Sequence, residues 1–158
     1  MSAFSQEHFI NGGLAPVADG LAGTVNSDVV NTEQYDHVTF VVIRGVATGG
    51  TADHTFTVEA CSLADGTGAE AVPFRSRGAA LAGASMSALT ARTAAGYTNV
   101  AGSARLDVVE VEASDLPDGK PFVRLHSVEV TNDPVVAAIL TILGKPRYAE
   151  AVMPDATV

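Results

Sequence analysis

Two adjoining segments with different hydrophobic periods constrain this chain most. Residues 38–46 (Val38-Thr39-Phe40-Val41-Val42-Ile43-Arg44-Gly45-Val46) form an almost unbroken apolar run rich in β-branched side chains. Residues 54–60 alternate, with Phe56, Val58 and Ala60 on one side and Thr55, Thr57 and Glu59 on the other. A period of two marks a strand with one wet face, and a continuous β-branched run marks a strand buried on both faces. The intervening Thr48-Gly49-Gly50-Thr51 carries turn chemistry, so the expectation is a β-hairpin.

The same reading extends along the chain. Residues 105–113 place Val109, Val111 and Ala113 on one face and Glu110 and Glu112 on the other. Residues 122–131 read as a further strand and, after the turn signal Asn132-Asp133-Pro134, the apolar 135–143 as a buried strand, although its periodicity also fits a short helix. Residues 114–119 form a corner with Pro117 and Gly119. Residues 70–77 read as a strand pushed towards an edge by Pro73, which lacks a ladder donor. Residues 78–95, rich in Ala, Gly, Ser and Thr, read as one long loop, and 97–100 as a short strand. Residues 1–31 contain Gly12-Gly13, Pro16, Gly20 and Gly23 and read as an extended arm with little helix, which either wraps its own domain or reaches a neighbouring subunit. The expected fold is all-β: an antiparallel sandwich or barrel of six to eight strands. The expected organisation is an N-terminal arm (1–31), a β-domain (32–148) and a C-terminal tail (149–158).

Composition narrows the function classes. With 47% hydrophobic and 17% charged residues, the chain is too apolar and too weakly charged for disorder. Its net charge is −9, with Lys120 and Lys145 the only lysines and no basic stripe, which argues against nucleic-acid and anionic-membrane partners. The first ten residues lack the features of a signal peptide, and the apolar stretch 135–143 is too short to span a bilayer, so synthesis in a bacterial-type cytoplasm is expected. Cys61 stands alone within an alternating run and reads as a buried structural thiol.

No catalytic, cofactor or metal site is expected. His8, His37, His54 and His126 are scattered, and no H-E-x-x-H or C-x-x-C occurs. Asp53-His54 beside a glycine turn reads as a loop pair, because Gly83-Ala84-Ser85-Met86-Ser87 lacks the closing glycine of a nucleophile elbow. Asp115 and Asp118 lack calcium-loop spacing, and Gly66 and Gly68 precede no phosphate-loop lysine. Arg75 and Arg77 form the one local basic pair, suited either to salt-bridging with the acidic surface or to contact with an acidic partner.

Several strings resemble one family. They include residues 14–31 and 38–46, Thr57-Val58-Glu59-Ala60-Cys61, Ala71-Val72-Pro73-Phe74-Arg75, Thr93-Ala94-Ala95-Gly96-Tyr97, Val109-Glu110-Val111, residues 115–125 beginning Asp115-Leu116-Pro117-Asp118-Gly119, and Pro146-Arg147-Tyr148. Over residues 11–148 the chain resembles the head decoration, or cement, proteins of tailed bacteriophages. That resemblance implies a non-catalytic β-rich virion protein, often trimeric, on the outer capsid surface at three-fold positions, with the major capsid protein and its own copies as partners. The physical pattern of the chain agrees with it: the apolar arm residues Phe4, Phe9, Ile10, Leu14 and Val17 are the expected shell or subunit contacts, with Arg75 and Arg77 as further contacts. On this reading, deleting residues 2–20 abolishes shell binding without unfolding the domain. The alternatives are a tail-tube or neck (head–tail connector) subunit and a host-surface binding module. The absence of Trp and the three Tyr count against a sugar-stacking platform.

Overall fold

Alternating burial converts the apolar segments into strands throughout the chain. The structure, a computed structural model, describes residues 3–83, 85–100, 104–147 and 156–157. After one helical turn (Phe4–Glu7), the strands are β1 (Phe9–Val17), β2 (Thr24–Asn26), β3 (Val30–Asn31), β4 (Tyr35–Arg44), β5 (Asp53–Cys61), β6 (Glu70–Val72) and β7 (Phe74–Ala80). There follow β8 (Thr90–Arg92), β9 (Tyr97–Thr98), β10 (Arg105–Glu112), β11 (Phe122–Thr131) and β12 (Ala137–Pro146). They pair antiparallel into two sheets. Sheet A has the order β1-β12-β4-β10-β7-β8, and sheet B has β2-β11-β5-β6, with β3 also on β11 and β9 also on β5. The all-β antiparallel fold expected from the sequence is observed, and of the sandwich and the barrel it is the sandwich.

The inward residues of both sheets form one core. Phe40, Val42, Val109, Val111, Ile139 and Leu143 of sheet A meet Phe56, Val58, Val123 and Leu125 of sheet B. As the alternation required, Phe56, Val58 and Ala60 are buried while Thr55, Thr57 and Glu59 are only partly covered.

The expected hairpin of residues 38–60 does not form. β4 lies between β12 and β10 in sheet A, whereas β5 lies between β11 and β6 in sheet B. The glycine-rich segment between them crosses from one sheet to the other. Asp133 holds this crossing, accepting the backbone N–H groups of Gly49 at 2.6 Å and Thr51 at 2.8 Å. Local turn chemistry is compatible with either connection, and the partners that β4 and β5 find far along the chain decide between them.

Pro73 marks a second crossing. It interrupts the expected 70–77 strand so that β6 belongs to sheet B and β7 to sheet A. β7 is then an interior strand between β10 and β8, not an edge. The expected 78–95 loop is shortened at both ends, by the last residues of β7 and by β8.

The segment read as an arm is built into the sandwich. β1 pairs with β12 from Phe9↔Leu143 to Val17↔Ala137, and β2 and β3 pair with β11. The breakers serve this pairing. The register shifts between Asn11 and Leu14, and a side chain at Gly13 would lie 2.6 Å from the Thr141 hydroxyl. The accessible surface of 7610 Å² is close to the ~7,400 Å² expected of a folded monomer of this mass, leaving no surplus for a free arm. At the other end, Tyr148 and residues 149–155 and 158 of the expected tail lie outside the described residues. Ala156 is buried in the core, and Thr157 bridges Val30.

Candidate interaction surface

The two outer faces of the sandwich differ in kind. On sheet B the outward residues over the middle of the sheet are polar, Thr55, Thr57 and Glu59 of β5 beside Arg124 and His126 of β11, with Val128 and Val130 exposed only towards the far end of β11. They are cross-linked, with Arg124 Nε donating to Glu59 at 2.7 Å, His126 Nδ1 2.7 Å from Asn26 Oδ1, and the Thr55 and Thr98 hydroxyls 2.9 Å apart. This is the solvated face of an ordinary antiparallel sheet.

Sheet A carries an apolar stretch on its outer side as well, over β12, β4 and the first half of β10. Between the buried Val38, Phe40 and Val42, the outward residues of β4 are Thr39, Val41 and Ile43. Register sets Val41 beside Val108 of β10 and Leu140 of β12, and Ile43 beside Leu106 and Ala138. Ile142 lies between Thr39 and Ile10. The result is a surface of Ile10, Ala138, Leu140, Ile142, Val41, Ile43, Leu106 and Val108. Every described strand belongs to one of the two sheets, so no strand forms a third layer over it. Ile10 and Ile43 remain 44% and 42% exposed. The sequence reading placed 38–46 as buried on both faces; within the described chain only one face of β4 is covered.

The expected contact residues divide by strand parity. Phe9 and Leu14 point inward and pack against the core. Phe4, Ile10 and Val17 are exposed, with Phe4 stacked on the His8 ring at 4.0 Å. Ile10 belongs to the apolar face through its pairing with Ile142, and Phe4 and Val17 lie towards the two ends of the β1 edge. Arg75 and Arg77 both project outward from β7, beyond β10. Arg77 stands 3.7 Å from Glu110, and Arg75 lines a cleft of about 310 Å³ with His37, Arg92, Glu110 and Glu112. Glu112 is held by Lys145 at 2.9 Å and His37 at 3.1 Å, whose hydrogen bonds and positive charge keep its carboxyl below the usual range against the opposing effect of burial. Glu110 and Glu112 are thus the charged rim of the apolar face.

Sequence reasoning missed Leu106, Val108, Ala138, Leu140 and Ile142 as surface candidates. Their signal was present in the unbroken runs, which say that both faces of a strand avoid water without saying what covers the second.

The buried polar groups lie elsewhere, between the sheets at the end where β4 stops. Arg44 Nη2 donates to Asp107 at 3.2 Å and to the Val100 carbonyl at 3.4 Å. Arg105 approaches the same carboxylate at 3.7 Å. Arg92 donates to Ser76 and covers the Tyr97 ring at 4.7 Å. Desolvation, reinforced by the Asp107 charge, pushes the Tyr97 phenol far above its ordinary range. His54, in β5 and not in the loop the sequence suggested, is buried; desolvation and then Arg44 lower its pKa below 6.5. Cys61 is buried and free, and burial raises its thiol pKa. Among the described residues, no group of three or more His, Cys, Asp or Glu converges to hold a metal, and no helix is long and apolar enough to cross a membrane.

No protein-family model matches the chain, and no curated protein resembles it in sequence. Among solved structures, it is similar to the SPBc2 prophage-derived protein YomS at 12% identity and a TM-score of 0.44, covering 88% of this chain and 94% of that one. It is also similar to the CBM22-1–GH10 modules of Clostridium thermocellum xylanase 10B, complexed with xylohexaose, at 10% identity and a TM-score of 0.35 over 94% of this chain and 28% of that one. A third likeness is to Eiger TNF from S. frugiperda, at 9% identity and a TM-score of 0.30 over 96% and 93%. Likenesses this distant carry no argument about role.

Proposed function

We propose that this protein is a non-catalytic structural component of a tailed-phage particle, a decoration protein that binds the outside of the head and stabilises the shell. One observation supports a structural role above others: the contrast between the polar outer face of sheet B and the apolar outer face of sheet A. A sheet meant for water on its outside reads polar there, as sheet B does. An apolar patch on an acidic molecule marks a surface made to be covered by protein. The placement on a phage head rests on the resemblance carried by the strings quoted above. Phe4 and Val17 are exposed towards the two ends of the β1 edge and offer further apolar contacts to a shell subunit. Repetition by lattice symmetry would let modest individual contacts hold the protein in place.

The test is the copy number of the protein in purified particles of the phage that encodes it, by quantitative mass spectrometry against the major shell protein. A number comparable with the shell protein supports decoration. A few copies per particle would move the protein to the neck or tail, and absence would overturn the virion reading.

A further inference from the structure

We propose that the outer face of sheet A is covered by the same face of a second copy, in an isologous pair whose two-fold axis runs parallel to β4. This rests on the reading of that face as a contact surface, and not on placement in a virion.

The first argument is charge. Around the apolar residues stand four cations, Arg75, Arg77, Arg92 and Lys145, and three carboxylates, Glu110, Glu112 and Asp115, with His37 beside Glu112. The whole chain carries −9. The face is therefore an almost neutral island on an acidic molecule. A strongly basic partner would be drawn to the rest of the surface, whereas a second copy offers an equally neutral apolar face.

The second argument is geometry. β4 is the middle of the five long strands β1-β12-β4-β10-β7. An axis along β4 exchanges the two sides, setting β12 over the partner's β10 and β1 over its β7. Val41 and Ile43 then meet their own copies at the centre, and Leu140 meets Val108. Arg75 and Arg77 fall over the partner's β1, which carries no cation between Phe9 and Val17. An axis across the strands would instead stack arginine on arginine. The charges thus favour one of the two isologous arrangements.

The third argument is area. Five strands about 4.8 Å apart, with three outward residues per strand at about 6.7 Å spacing, present about 500 Å² on each copy. About 1,000 Å² in total is the lower bound for a specific interface. The pair should therefore be weak, in the micromolar range, and opposed at long range by −9 facing −9. Adding salt screens that repulsion and leaves the apolar contact intact. The resemblance to decoration proteins implies a trimer; this face favours a pair.

The experiment is sedimentation equilibrium of the full chain from about 1 to 500 µM, combined with cross-linking. Wild type should pass from monomer to dimer, with at least threefold tighter association in 0.5 M than in 0.05 M NaCl. Val41→Lys should stay monomeric with an unchanged circular dichroism spectrum, while Val130→Lys, on the outer face of sheet B, should dimerise like wild type. Because Cys61 is buried, Val41→Cys should be joined to its own copy by a short bis-maleimide and Val130→Cys should not. Only a two-fold axis near Val41 brings that position against itself. A wild type that stays monomeric, a trimer, or dimerisation unaffected by Val41→Lys would overturn the proposal. A monomer that still occupies phage heads at shell-protein numbers would overturn the pairing and leave the decoration reading standing. A dimer absent from particles would do the reverse.

Discussion

Arg44 and Asp107 face one another inside the sandwich, 3.2 Å apart and 1% and 2% exposed, on adjacent strands of sheet A. A guanidinium and a carboxylate so fully removed from water stabilise the fold only as a pair. Asp107→Ala should therefore lower unfolding stability by about 3–5 kcal/mol, since it strands Arg44 and also deprives Arg105. The double variant Arg44→Met/Asp107→Leu should recover most of that loss. Urea denaturation of the three proteins checks both statements, and equal losses in the single and double variants would refute the pairing account.

His54 makes stability pH-dependent in a definite direction. Its pKa in the folded state lies below the unfolded 6.5, so below about pH 6.5 the unfolded chain binds more protons at this site than the folded one. The contribution is fully present above that pH and is lost as pH falls towards the folded pKa. The urea midpoint should fall between pH 8 and pH 5 in wild type, and fall less in His54→Asn.

Asp133 should matter more than its place in a turn suggests. It joins the segment that leaves β4 to the segment that enters β12, through Gly49 and Thr51. Those hydrogen bonds hold its carboxyl below its ordinary range. Asp133→Ala should lower the thermal midpoint and Asp133→Asn should lower it less, because an amide oxygen still accepts. The carboxylate's contribution should be retained above about pH 4 and lost as the pH falls further.

Gly96 turns the chain into β9 with a φ of 81°, and a Cβ there would strike the Phe56 carbonyl. Gly96→Ala should cost more than about 1 kcal/mol, combining strain at positive φ with the clash. A midpoint equal to wild type by differential scanning calorimetry would contradict this.

Removing residues 2–20 should destabilise the domain, contrary to what the sequence suggested. The deletion takes β1 off β12 and uncovers the contact of Phe9 with Tyr35, whose rings lie 6.3 Å apart. The loss should be about 3 kcal/mol or more from Phe9 and Leu14 alone. Loss of shell binding by this variant would thus report unfolding as much as a missing contact, and Phe4→Ser or Val17→Ser is the cleaner probe.

The strands of this sandwich were legible because alternation in 54–60 and 105–113 encodes one wet face locally. Their arrangement was not. Whether β4 turns back on β5 or crosses to the other sheet depends on β10, β11 and β12, which lie 60 or more residues away. Pro73 was read as an edge signal although it serves as the break between sheets. Gly12 and Gly13 read as breakers of an extended arm, yet they lie at a register shift within β1, where Gly13 lets the strand approach Thr141. The candidate surface was half legible. The runs 38–46 and 135–143 announced strands dry on both faces, but only the register shows Val41, Leu140 and Val108 as neighbours, and only the sheet order shows their outer side uncovered. Phe9 and Leu14 are apolar like the exposed Ile10, and only the pairing of β1 shows that they face the core.

The claim on which the account turns is that the outer face of sheet A is covered when the protein is in its working assembly. Hydroxyl-radical footprinting of Ile43, Leu140 and Ile142, in intact particles and in dilute isolated protein, tests it most directly. The account requires these side chains to be several-fold less reactive in the assembly, with Val130 on sheet B as the reference. Equal reactivity in the two states would contradict it.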